Sequence, residues 1–215
     1  MAKDDRDERC LPHRMTGAGR PTPRDLAAVF AEVRTDRLAL RRLRTGDGPA
    51  LFAVRGDSAT NQHNSAGPDP DLATSEQVLR RWLQDWEDNG YGYWAVVRPP
   101  AEEIIGFGGV MRQVWRERAV LNLYYRFTPS AWGNGYAAEL AQRAVALARA
   151  HLPSWPVIVR TGPANIASIK TAERAGLCRR PDLDAQDGDI VFALGWEVAD
   201  HAARPAPDDG PAGRP

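Results

Sequence analysis

The sequence predicts a mixed α/β domain with a mostly antiparallel central sheet flanked by helices. Three observations predict it. Strand-type runs at 93–98, 103–111 and 119–127 follow one another across short connections, the pattern of an antiparallel meander. Segments with apolar residues at helical spacing stand before and after them. No internal repeat at solenoid periods competes with this order.

The elements read in order as follows. Leu38, Leu40 and Leu43, separated by arginines, predict an opening strand, and 47–55 a first helix with Pro49 near its start. After a Pro/Gly/Asn-rich stretch at 61–71, Thr74 and Gln77 are spaced as a capping box. The helix behind them carries Val78, Leu79, Trp82, Leu83 and Trp86 on one face and ends at Asn89-Gly90. Beyond the meander a glycine-bearing turn leads into a helix at 136–150. Its stripe of Ala137, Leu140, Ala141, Ala144 and Ala148 suits close packing on a sheet. A short buried strand at 157–161, a helix capped by Asn165 and ended by Gly176, and a last strand at 190–198 complete the domain.

A chain of 215 residues with 43% hydrophobic content is long enough for one well-filled core. Residues 34–200 form that single domain. The charge-, Pro- and Gly-rich stretch 1–33 is expected to be a disordered head, and 201–215 a disordered tail, although the weak apolar run at 26–33 could add a short helix or an extra strand. Lysines plus arginines and aspartates plus glutamates both total 28, so the formal net charge is zero. No global field then draws the protein to nucleic acid or to an anionic membrane. Apolar stretches fall short of the ~20 residues that span a bilayer, and MAKDDRDER lacks the apolar core of a secretory signal. Two cysteines, Cys10 and Cys178, stand outside any metal-type spacing, so no metal is expected and a reducing, cytoplasmic location fits.

The segment most informative about chemistry runs from Tyr125 to Ala137, where a strand gives way to a helix across Gly133 and Gly135. Successive backbone N–H groups at such a turn, backed by the helix dipole, suit a pyrophosphate, and glycine keeps the backbone open to it. Gly133-x-Gly135-x-x-Ala138 also matches a dinucleotide fingerprint, but that reading needs an acidic ribose ligand ~20 residues on. The strand at 157–161 carries Arg160 instead, followed by Gly162-Pro163.

Four separate pieces of the chain match one family in order. They are Thr35-Asp-Arg-Leu-Ala-Leu-Arg-Arg-Leu43, Ile105-Gly-Phe-Gly-Gly-Val110, the glycine turn within 122–141, and Asn165-Ile-Ala-Ser168 opening the stretch to Leu177. On them the chain resembles the GNAT superfamily of N-acetyltransferases over about 34–198, particularly its Rim-type branch, which acetylates ribosomal-protein N-termini among other amines. The resemblance implies a GNAT-like sheet splayed between its fourth and fifth strands. It implies a pyrophosphate turn begun by Trp132, with Gly133, Asn134, Gly135, Tyr136 and Ala137 lending their backbone to acetyl-coenzyme A. It implies that the main chain of Phe127 pairs with the pantetheine arm as an added strand would, and that the Asn165 side chain bonds the same arm.

Acetyl transfer needs a neutral amine beside the thioester, donors for the developing oxyanion and a proton for the leaving thiolate. By resemblance Ser168 is the catalytic candidate, steadying or protonating that thiolate; the plainer alternative is an ordinary hydroxyl in a first helical turn. Many Rim-type relatives hold a glutamate where Asn122 stands here, and an amide cannot act as a general base. His63, in a stretch that faces the acceptor in the family, could titrate near neutrality, or be a plain surface histidine. Glu139 serves the fold or an ion pair, and Tyr91, Tyr93 and Trp94 either line the acceptor pocket or belong to the core.

The function expected is acetyl-CoA-dependent acetylation of an amine, on a protein N-terminus or a small molecule, by direct attack on the thioester. A non-catalytic acyl-CoA-binding module and a nucleotide-binding domain are the alternatives. A homodimer through a strand edge or helix face is open.

Overall fold

A computed structural model describes residues 21–185 and 188–196. Among them the chain forms α1 (Pro23–Phe30), β1 (Glu32–Arg34), β2 (Ala39–Arg42), α2 (Gly48–Arg55), α3 (Leu72–Asn89), β3 (Tyr93–Val97), β4 (Ile104–Trp115) and β5 (Arg118–Phe127), then α4 (Tyr136–His151), β6 (Val157–Thr161), α5 (Ile166–Arg174), β7 (Cys178–Arg179) and β8 (Ile190–Leu194). The described strands make one sheet of eight in the order β1-β2-β3-β4-β5-β6-β8-β7. All neighbours are antiparallel except β5 and β6, which are parallel and pair only at Leu121 with Val157 and Asn122 with Ile158. The splay therefore falls between the fifth and sixth strands of this chain, because β1 adds one strand ahead of the pattern read from sequence.

Two faces of the sheet are covered differently, and side-chain alternation decides which residues meet which layer. Trp82 of α3 packs edge-on against Tyr93 and Tyr124, with ring centres 5.0 and 5.6 Å away, and the Trp86 indole donates to the Tyr93 carbonyl at 2.8 Å. The face of Tyr93, Phe107 and Tyr124 thus lies under α3. The opposite face lies under α4, and Gly108 lets that helix come close. A Cβ there would stand 2.5 Å from the Tyr124 carbonyl oxygen and 3.0 Å from Leu140 Cδ2.

Core packing begins ahead of residue 34, in the run where a short helix or an extra strand was open. Thr22 and Asp25 close a capping box around the start of α1, and Leu26 and Phe30, one turn apart, turn into the core. Phe30 is fully buried, stacks on Trp94 at 6.0 Å and accepts the Trp94 indole hydrogen bond on its carbonyl at 2.6 Å. Residues 1–20 and the expected tail at 201–215 lie outside the described residues.

Smaller corrections follow from local chemistry. The cap of α3 is Asp71, which accepts from the Thr74 N–H at 2.8 Å, so Thr74 is the partner of a cap rather than the cap itself. Gly90 ends that helix in the left-handed region, as expected. The last strand closes at Leu194, and β7, a two-residue strand with too little sequence to show periodicity, was missed. Cys178 is not a free thiol, so it lends no support to the reducing compartment read from sequence.

Replacing Phe30 with alanine should cost about 3–5 kcal/mol in urea unfolding, the range for emptying a buried aromatic site. A cost below 1 kcal/mol would show that α1 is peripheral.

Candidate active site

Hydrogen-bond alternation along β5 fixes what the splay exposes. The Thr128 N–H donates to the Ile105 carbonyl at 2.9 Å, and the Leu121 N–H to the Pro156 carbonyl at 2.8 Å. In an antiparallel ladder successive residues point their backbone groups to opposite neighbours. Even-numbered residues from 122 to 126 therefore bond β4, while Tyr125 and Phe127 turn theirs toward β6, which has already diverged. The result is a cleft with an unpaired strand edge as one wall. The Phe127 carbonyl is taken by the Trp132 indole at 2.9 Å, which leaves its N–H facing the cleft and ties the turn to β5.

The cleft runs toward the start of α4. Gly133 and Gly135 both sit at φ 77°, a region costly for residues with a Cβ, and Gly135 is the N-cap with no side chain capping the helix. The first intrahelical bond is Glu139 N–H to the Gly135 carbonyl. The N–H groups of Tyr136, Ala137 and Ala138 are left over at the positive end of the helix dipole. Asn134 turns its Nδ2 inward to the Ala131 and Trp132 carbonyls, so its side chain braces the turn. Trp132 is 48% exposed beside it.

Glu139 holds this turn to the start of β2. Its Oε1 accepts from the Thr35 hydroxyl at 2.6 Å and the Arg37 N–H at 2.9 Å, and Oε2 pairs with the Arg37 guanidinium at 2.6 Å. Arg37 also donates to the Asn134 carbonyl at 2.9 Å. Burial alone would raise the Glu139 carboxyl, but the bonds from Thr35 and Arg37 outweigh it and hold it below the usual range. The ion-pair role read from sequence is the one the structure shows.

Across the cleft, the Asn165 Oδ1 accepts from the Ser168 N–H at 3.1 Å and caps α5, so only its Nδ2 remains for another partner. The Tyr125 hydroxyl donates to the Ser168 carbonyl at 3.0 Å and lies 3.0 Å from Ser168 Oγ. Burial pushes the Tyr125 phenol up to about 12, against the lowering effect of Ser168, so it stays protonated at neutral pH. Phe127, the turn and the Asn165/Ser168 helix start are thus brought to one cleft.

The face of β5 under α3 carries different chemistry. Asn122 Nδ2 donates to the Tyr93 hydroxyl at 2.6 Å, leaving its Oδ1 as an acceptor. Burial raises the Tyr93 phenol, and the Asn122 bond only partly offsets this. Tyr91 and Trp94 are buried core residues, and His63 is exposed on the α2–α3 connection. Asp69 is engaged by Arg55 at 2.8 Å and by Ser75 at 2.6 Å. The sequence reading does not single out Tyr125, Tyr124, Arg126 or Asn61. The available signal for the first three was the two-residue alternation along β5, whereas nothing local marks Asn61, buried in a 3₁₀ turn at Ala59–Asn61.

A strand edge left open beside an uncapped, glycine-led helix start can take an extended arm along the edge and an anion at the helix start. The family model for the acetyltransferase (GNAT) domain matches residues 37–177, and the chain belongs to that family of acetyltransferases. A curated relative, the uncharacterized protein YkkB of Bacillus subtilis strain 168, is 27% identical over 154 residues, covering 66% of this chain and 83% of that protein. An acetyltransferase from Agrobacterium tumefaciens C58 superposes with TM-score 0.64 at 26% identity, over 85% of this chain and 98% of that one. Spermidine N-acetyltransferase from Vibrio cholerae, solved with CoA and spermine, superposes with TM-score 0.59 at 15% identity, over 74% and 95%. Among the described residues no helix is long and apolar enough to cross a membrane.

A carboxylate held low contributes stability that is present above its unfolded value of about 4.3 and is lost as pH falls through the folded one. Glu139→Gln should therefore lower stability at pH 7 by about 1–2 kcal/mol in urea melts, with the gap to wild type closing below about pH 4. A gap independent of pH would show that the carboxylate charge is idle.

Proposed function

We propose that this protein acetylates a primary amine with acetyl-CoA by direct attack on the thioester, and that it does so in the manner of the Rim-type branch. The observation that carries this reading is the cleft whose open strand edge leads to the uncapped start of α4. Acetyl-CoA supplies an acyl group activated as a thioester. Its pyrophosphate suits the N–H groups from Gly133 to Ala138, and its pantetheine arm suits the free edge of Tyr125 and Phe127 with Asn165 Nδ2 opposite.

In this reading the amine lone pair forms the new C–N bond as the C–S bond breaks. Ser168 Oγ, held 3.0 Å from the Tyr125 hydroxyl, gives its proton to the departing sulfur, and the proton lost by the amine returns to Ser168 through water. Asn122 Oδ1, left free by the bond from Nδ2 to Tyr93, accepts a hydrogen bond from the amine and aims its lone pair. Since an amide takes no proton, the amine proton leaves through water. The reaction draws on the cytoplasmic pool of acetyl-CoA.

Calorimetry with acetyl-CoA tests the cofactor half. Ala137→Glu keeps an acid favourable to the helix start but sets a negative charge against the pyrophosphate, so wild-type micromolar binding should weaken by at least about 30-fold. Ser168→Ala should leave that affinity unchanged and lower kcat by about 10- to 100-fold, read as free thiol release. Absence of binding by wild type would overturn the reading.

A further inference from the structure

Beyond Asn122, the next two positions on the same face of β5 are Tyr124 and Arg126. Three charged groups meet there, Arg55, Asp69 and Arg126. Asp69 is saturated: its two oxygens take both the Arg55 contacts, at 2.8 Å each, and the Ser75 hydroxyl. The Arg126 guanidinium lies over the Tyr124 ring, 5.7 Å from its centre, and donates to Asn61 Oδ1 at 2.7 Å. Asn61 is itself fixed by bonds from its Nδ2 to the Arg55 and Asp57 carbonyls, both 2.7 Å. Arg126 forms no ion pair among the described residues. With Asp69 paired to Arg55, the cluster is left with one positive charge, that of Arg126. Beside it the Tyr124 hydroxyl is buried next to the Arg55 guanidinium, which can only donate to it, so its own proton has no acceptor among the described residues.

A guanidinium without an ion pair and a buried hydroxyl whose proton has no acceptor, on one face of β5, are what an oxyanion would pair. We propose that Arg126 and Tyr124 form an oxyanion subsite, so that the acceptor is an amine carrying a carboxylate or phosphate. This rests on the acetyltransferase reading above. With ~3.4 Å per residue along a strand, Tyr124 and Arg126 start about 7 and 14 Å from Asn122, where the amine is aimed. The anion is therefore several bonds from the nitrogen, beyond the α-carboxylate of a free amino acid. A polyamine, such as the spermine held by the Vibrio cholerae enzyme, would meet like charge here.

Matched acceptors test this. The peptide amides Ala-Glu-Ala-NH2 and Ala-Gln-Ala-NH2 form one pair, 3-aminopropyl phosphate and 3-aminopropanol a second, and spermidine is the cationic control. Binding is read by calorimetry with and without CoA, and kcat/KM by thiol release. The anionic member of at least one pair should be favoured roughly tenfold, and which pair shows it tells carboxylate from phosphate. Arg126→Gln should bring the ratio near one and Arg126→Lys should keep part of it, with acetyl-CoA affinity unchanged in both. Equal binding within both pairs, preference for spermidine, or a preference that survives Arg126→Gln overturns the subsite. Loss of acetyl-CoA binding by wild type would instead overturn the acetyltransferase reading, and the acceptor titration without CoA still reads the subsite.

Discussion

Two residue pairs hold β5 to β6, and the arrangement of the active site depends on their being only two. Had the parallel ladder continued past Asn122 and Ile158, the backbone of Tyr125 and Phe127 would be spent inside the sheet. Because it stops, one strand edge stays open within an otherwise continuous sheet, a position that normally invites another strand. The cleft is narrow enough that Tyr125 still reaches Ser168 across it. It is also short, since β5 ends at Phe127 and the chain turns through Trp132 and two left-handed glycines into α4.

The remaining framework keeps that opening in register. Glu139 binds the start of α4 to Thr35 and Arg37 ahead of β2, and α1 anchors the same end of the chain through Phe30 against Trp94. The side chains that look catalytic by type are thereby committed elsewhere: Glu139 to the clamp and Asp69 to Arg55. What faces the cleft is neutral, namely Ser168 and Tyr125, and Asn122 on the α3 face of β5 is neutral too. In the proposed reading such a site would work by placing groups and supplying donors rather than by withdrawing a proton with a carboxylate.

Much of this was legible in sequence. Periodicity located the long helices and the meander, and the turn from Trp132 to Ala137 stood out because glycine spacing at a strand-to-helix junction has a direct physical meaning. Asn165 and Gly176 announced the ends of α5 by their capping chemistry. What was not legible arises from contacts between distant segments. The run at 26–33 offered a short helix or an extra strand without deciding between them, and the structure has both, α1 and β1, once Tyr91 and Trp94 close over Phe30. The α3 cap read from Thr74 was displaced three residues, because Asp71 competes for the same orphan N–H groups. Tyr125 looks like any strand aromatic until α5 brings Ser168 beside it. Arg126 looks like a solvated charge until Asn61, 65 residues earlier, fixes its guanidinium.

Amide hydrogen exchange on the full chain, with and without acetyl-CoA, tests the central claim most directly, because the odd and even residues of β5 are predicted to behave differently. The amides of Tyr125 and Phe127, and those from Gly133 to Ala138, should exchange fast alone and slow markedly with acetyl-CoA. Those of Tyr124 and Arg126, already bonded to β4, should change little. Unchanged exchange at Tyr125 and Phe127 in the presence of bound acetyl-CoA would contradict the account, since the cofactor would then lie somewhere other than along the open edge of β5.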